Sequence, residues 1–107
     1  MRISAVAGFQ SFTSVVLTTA VACSTALFKN VTTGVIANGL LFSVGGSSGG
    51  IRWRDDGVDP VSNIGIRLAS GSLPYLYTGD AQKIKFIADS AAGNASLDIS
   101  YVNVQID

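Results

Sequence analysis

Apolar residues fall at every second position in a series of short runs, and most of these runs end within a few residues of Gly, Asp, Asn or Pro. That period belongs to β-strands with one buried face. Leu40, Phe42 and Val44 alternate along one run; in the next, Ile51 and Trp53 are set against Arg52 and Arg54. Ile64, Ile66 and Leu68 alternate with Gly65 and Arg67. Leu73, Tyr75 and Tyr77 follow, and Pro74 between them, lacking an N–H for the ladder, confines that strand to an edge or a strand start. Ile84, Phe86 and Ala88 form another run, and Leu97, Ile99 and Tyr101 the last. Upstream, the β-branched stretch 12–22 reads as one long or two short strands, and 31–36 as a further one.

The punctuation is equally regular. The glycine-serine stretch 45–50 holds no helix former and makes residues 40–54 read as a hairpin with a flexible tip. Asp55-Asp56-Gly57, Asp59-Pro60, Thr78-Gly79-Asp80 and Ala91-Ala92-Gly93-Asn94 read as turns, with Gly57 and Gly79 expected at backbone angles that favour glycine. Seven or eight short strands without an amphipathic helix or a linker predict one all-β domain over 1–107, an antiparallel β-sandwich or jelly-roll-like barrel. Trp53 is expected to anchor its core. Val102, Val104 and Ile106 take the opposite parity to Leu97, Ile99 and Tyr101, which predicts a bulge or a strand shared between two packing surfaces. With Arg52, Arg54 and the 45–50 loop, they are the candidate contacts between subunits.

Composition narrows the function classes. Of 107 residues, 48% are apolar and 13% charged, against about 25% charged in an ordinary soluble domain. A domain of this size holds one modest core. The apolar surplus therefore faces other subunits, or a coat of Ser, Thr, Asn and Gly covers the surface; both readings stand together. Seven Lys and Arg balance seven Asp, with no Glu, and the cations are scattered rather than gathered into the field nucleic-acid binding needs.

Histidine is absent, which removes the commonest general base and any Ser-His-Asp or Cys-His arrangement within the chain. Cys23, the single cysteine, reads as an inert thiol in a Ser/Thr/Ala/Val run. The stretch 55–59 has a superficial likeness to a calcium loop but lacks the bidentate Glu, and the 45–50 loop lacks the Lys-Ser/Thr of a phosphate-binding loop. Trp53, Tyr75, Tyr77 and Tyr101 sit at core parity, with a sugar-stacking platform as the competing reading. The expectation is a non-enzyme without metal or cofactor. Ala20-Val21-Ala22-Cys23 is faintly like a lipoprotein cleavage site, but polar residues interrupt the stretch before it and no run approaches a membrane span. The N-terminal segment is expected to stay on the chain, free to extend onto a neighbouring subunit.

The stretch Ile51-Arg52-Trp53-Arg54-Asp55-Asp56-Gly57-Val58-Asp59-Pro60, continued by Ile64-Gly65-Ile66-Arg67-Leu68, Tyr77-Thr78-Gly79-Asp80 and Ile84-Lys85-Phe86-Ile87, resembles small virion proteins of tailed bacteriophages, over about half the chain. The resemblance implies a β-sandwich virion component in contact with the major capsid protein or another virion protein, as a homo-oligomer. A capsid decoration (cement) protein is the first expectation. A head–tail connector, collar or tail accessory protein is the second, and a receptor- or glycan-binding module the third. The shared residues are turn formers and strand residues, so no catalytic role comes with them.

Overall fold

A computed structural model of the chain describes residues 1–46, 48–89 and 94–106. Its strands in chain order are β1 Arg2–Phe12, β2 Val21–Ala22, β3 Gly39–Gly45, β4 Gly50–Arg54, β5 Ile66–Ala69, β6 Tyr75–Tyr77, β7 Lys85–Ala88 and β8 Ser96–Gln105, with short 3₁₀ turns at Val16–Thr18 and Thr25–Leu27. All strand pairings are antiparallel, in two four-stranded sheets ordered β1-β8-β3-β6 and β2-β7-β4-β5. β1 thus lies beside β8, β2 beside β7, β3 beside β6 and β4 beside β5, and these pairs alternate between the sheets. A long hairpin rolled up in this way is a double-sheet jelly roll.

The core lies between the sheets. Leu40, Phe42 and Val44 of β3 and Leu97, Ile99 and Tyr101 of β8 share one buried cluster with Ile51 and Trp53 of β4, Phe86 of β7, Ile84 and Leu17. Period two selects these residues, because each strand turns alternate side chains inward. Phe42 meets Phe86 and Trp53 edge-on, with ring centroids 5.2 and 6.1 Å apart, and Trp53 meets Tyr77 at 5.5 Å. Such pairs contribute about 0.5–1.5 kcal/mol each beyond the area they bury.

Several expectations are corrected. Residues 40–54 are not a hairpin: β3 pairs with β8 and β6, β4 with β7 and β5, so Gly45 and Gly50 end in different sheets, with Ser47 between them outside the described residues. Residues 31–36 do not form a strand. The Asn30 side chain accepts from the amides of Thr32 and Thr33, Gly34 takes φ +77°, and this local turn overrides the β-branched residues. The stretch 12–22 divides into the end of β1, a 3₁₀ turn and the two-residue β2. The turn expected at 91–94 lies outside the described residues except for Asn94. Tyr101 and Val102 are both buried, and the irregularity sits on the facing strand. Ala5 pairs with Val102 and Phe9 with Ser100, so β1 advances four residues while β8 advances two. Gly79 has no left-handed backbone; a Cβ there would overlap the Tyr77 hydroxyl and ring, so close approach explains the glycine. Gly57 does take the left-handed region, at φ +81°.

Candidate interaction surfaces

The outer faces of the two sheets are built from different chemistry. On β4, Ile51 and Trp53 point inward, which turns Arg52 and Arg54 outward. Arg52 is opposite Arg67 on β5, and Arg54 is opposite Lys85 on β7. Four of the chain's seven cationic side chains therefore stand on the outer face of the β2-β7-β4-β5 sheet.

Nearby acceptors hold this cationic patch together. Arg52 donates to the carbonyls of Ser62 and Gly65 at 3.1 and 2.9 Å. Arg54 pairs with Asp56, and Lys85 with Asp59 at 2.8 Å. Arg67 pairs with Asp89, whose other oxygen accepts from the Gly50 amide at 3.0 Å. Burial alone would push the Asp89 carboxyl up; the Arg67 hydrogen bond, the Gly50 amide and the nearby arginine charges outweigh it and hold the carboxyl below its usual range. Asp56 is held low chiefly by its hydrogen bond from Arg54.

Beside this face, the 55–66 segment exposes Val58, Val61, Ile64 and Ile66, each between 46 and 58% accessible. Ile64 and Ile66, placed inward by the alternation, are thus surface residues: Ile64 lies in the turn before β5, bridged to Val61, and of the edge strand β5 only Leu68 reaches the core. Ile64, Gly65 and Ile66 form one wall of a hollow of about 200 Å³, and Trp53, Arg54, Asp55 and Asp56 the other. Tyr77 donates to Asp55 at 2.9 Å and ties this turn to the opposite sheet. An apolar centre rimmed by charged, hydrogen-bonded groups is the anatomy of a protein–protein interface.

The outer face of the β1-β8-β3-β6 sheet carries Ile3, Ala5, Phe9 and Ser11 from β1, paired with Val104, Val102, Ser100 and Asp98 of β8. β3 and β6 add Leu41 and Leu76, which pair with each other. Among the described residues of this paired face, Asp98 is the one charge, and the Ser11 hydroxyl donates to it. Phe9 is 65% exposed at the wall of a hollow of about 180 Å³ over Leu41 and Ser100.

The two groups of sequence candidates therefore lie on opposite sides of the sandwich. Arg52 and Arg54 belong to the charged face, Val102 and Val104 to the nearly uncharged one. Val102 is itself buried, a correction to its reading as a contact residue: Ala5 and Gly39 flank it in register. Ile106 lies beyond the end of β8, 86% exposed. Trp53 is buried among Phe42, Tyr75 and Tyr77. Cys23 is half-buried, its thiol pushed up by burial.

Sequence reading missed Phe9 and Leu41. The bulge in β1 breaks the period there, and Leu41 sat on what read as the polar side of its strand. It also missed Asp89 as the partner of Arg67. No protein-family model, no curated protein and no solved structure matches the chain.

Proposed function

We propose that the chain is a structural protein of a bacteriophage virion, a capsid decoration protein that binds between capsid subunits and stabilises the shell. The observation that carries this reading is the two-sided surface of the jelly roll. One outer face is cationic and hydrogen-bonded, bordered by exposed aliphatic residues; the other is almost free of charge. The phage-like stretch 51–87 supports it, since it supplies most of the charged face. Double-sheet jelly rolls are at home in viral shells and in lectins, but a fold alone carries no activity. The weight therefore rests on the surfaces.

The charged face suits docking onto a preformed partner. Its cations already have acceptors, so it stays soluble before docking, and it selects its partner by complementary charge more than by apolar area. The neighbouring Val58, Val61, Ile64 and Ile66 supply the area that excludes water. Binding repeated over many copies, each holding adjacent capsid subunits, turns modest single contacts into a stable shell by avidity.

The test is re-addition of purified protein to particles that lack it. Wild type binds, and the double variant Arg52→Glu/Arg54→Glu binds at least about tenfold more weakly while keeping its circular dichroism spectrum. Equal binding of the folded double variant refutes the role of this face. Binding confined to the portal or tail moves the protein to a connector, collar or tail position.

A further inference from the structure

We infer that the outer face of the β1-β8-β3-β6 sheet is a self-association surface on which two copies of this chain pack face to face. This goes beyond the virion reading and stands or falls separately from it.

Three observations point to a second copy as the occupant. The first is charge. Of the outward side chains paired across β1, β8, β3 and β6, Asp98 alone is charged, and its carboxylate already accepts from Ser11. A face whose one charge is already hydrogen-bonded can meet its own symmetry mate with little repulsion.

The second is shape. Phe9 stands proud at the wall of a hollow otherwise lined by Leu41, Phe42, Ser43, Pro74, Asp98 and Ser100. The hollow measures about 180 Å³. A dry cavity of about 150 Å³ takes up benzene, so a phenyl ring fits this one. Knob and hole on the same face are what an isologous twofold contact requires: each Phe9 enters the other copy's hollow.

The third is area. Four strands at about 4.8 Å spacing, along the seven residues of β3 at about 3.4 Å each, cover on the order of 450 Å² in projection. That is on the order of half of the roughly 800 Å² per partner of a standard interface, the size of a weak, concentration-dependent contact. The edges agree with face-to-face rather than edge-to-edge contact: β6 has three residues preceded by Pro74, and the β1 edge is covered midway where the Asn30 side chain donates to the Val6 carbonyl.

Sedimentation velocity on purified wild type, Phe9→Asp and Ser100→Arg, across a range of concentrations, tests this. Near-UV circular dichroism from buried Trp53 serves as the fold control. Phe9 is exposed, so its replacement leaves the core untouched; Ser100 on the hollow floor gives an independent second variant. The inference predicts a wild-type dimer and a dissociation constant raised at least about 30-fold in each folded variant. A monomeric wild type, or a dimer unchanged in whichever variants fold, overturns it. Particle binding by Phe9→Asp monomers leaves the virion reading intact, so the two failures are distinguishable.

Discussion

Arg52 and Arg67 stand directly opposite each other on adjacent strands of one sheet face. Like charges in that position destabilise a sheet. Asp89 resolves the conflict on one side by pairing with Arg67, and the Ser62 and Gly65 carbonyls take up Arg52 on the other. The pair survives because the loops around it supply acceptors.

Asp89→Asn tests that arrangement. Asn keeps an acceptor for the Gly50 amide but loses the charge facing Arg67. Discounted for the exposure of Arg67, the expected loss is about 1 kcal/mol at neutral pH, read by urea unfolding. The folded-state carboxyl of Asp89 lies below its unfolded value of about 3.9. Its stabilisation is therefore present above about pH 4 and is lost as pH falls through the folded value. Asp89→Asn should show a shallower acid limb than wild type; identical limbs would mean the pair contributes nothing.

Tyr77→Phe removes the hydroxyl bonded to Asp55 and should lower stability by about 1 kcal/mol. Burial, then Asp55, push this phenol up. The folded value exceeds the unfolded one, so the contribution is complete below about pH 10 and is lost as pH rises toward the folded value. Alkaline unfolding of wild type should begin above about pH 10 and be less steep in Tyr77→Phe, with buried Tyr101 supplying the remainder.

The two turn glycines should respond differently to alanine. Gly57→Ala meets open space and suffers only its left-handed backbone, about 1 kcal/mol. Gly79→Ala drives a methyl into the Tyr77 ring, an overpacking of about 1–3 kcal/mol that also disturbs the bond to Asp55. Gly79→Ala and Tyr77→Phe should accordingly be non-additive in thermal or urea unfolding. Additive effects would show that Gly79 acts apart from Tyr77.

How legible each part was follows from what period two encodes. Leu40, Phe42, Val44, Ile51, Trp53, Phe86, Leu97 and Ile99 all reach the core because each lies at inward parity in a strand paired on both sides. Pairing order is another matter: the glycine-serine stretch at 45–50 is equally compatible with a hairpin and with a crossing between sheets, and only the packed sheets decide. Arg52 and Arg54 were visible as outward residues within reach of the aspartates of the following turn, and Asp56 does take Arg54, but the Ser62 and Gly65 carbonyls that take Arg52 depend on loop paths. Phe9 and the rest of β1 were hidden by Ala, Gly and Ser at alternating positions and by the register shift between Ala5 and Phe9. Ile66 misled because an edge strand keeps the alternation of a buried one while only part of its length touches the core, and Ile64 because it lies in the turn before that strand.

The central claim, a shell-wide structural role, is tested most directly by the copy number of this chain in purified particles, counted against the major capsid protein by quantitative mass spectrometry. The account predicts a number comparable to that of the capsid protein. A number near that of the portal or tail, or absence from the particle, would contradict it.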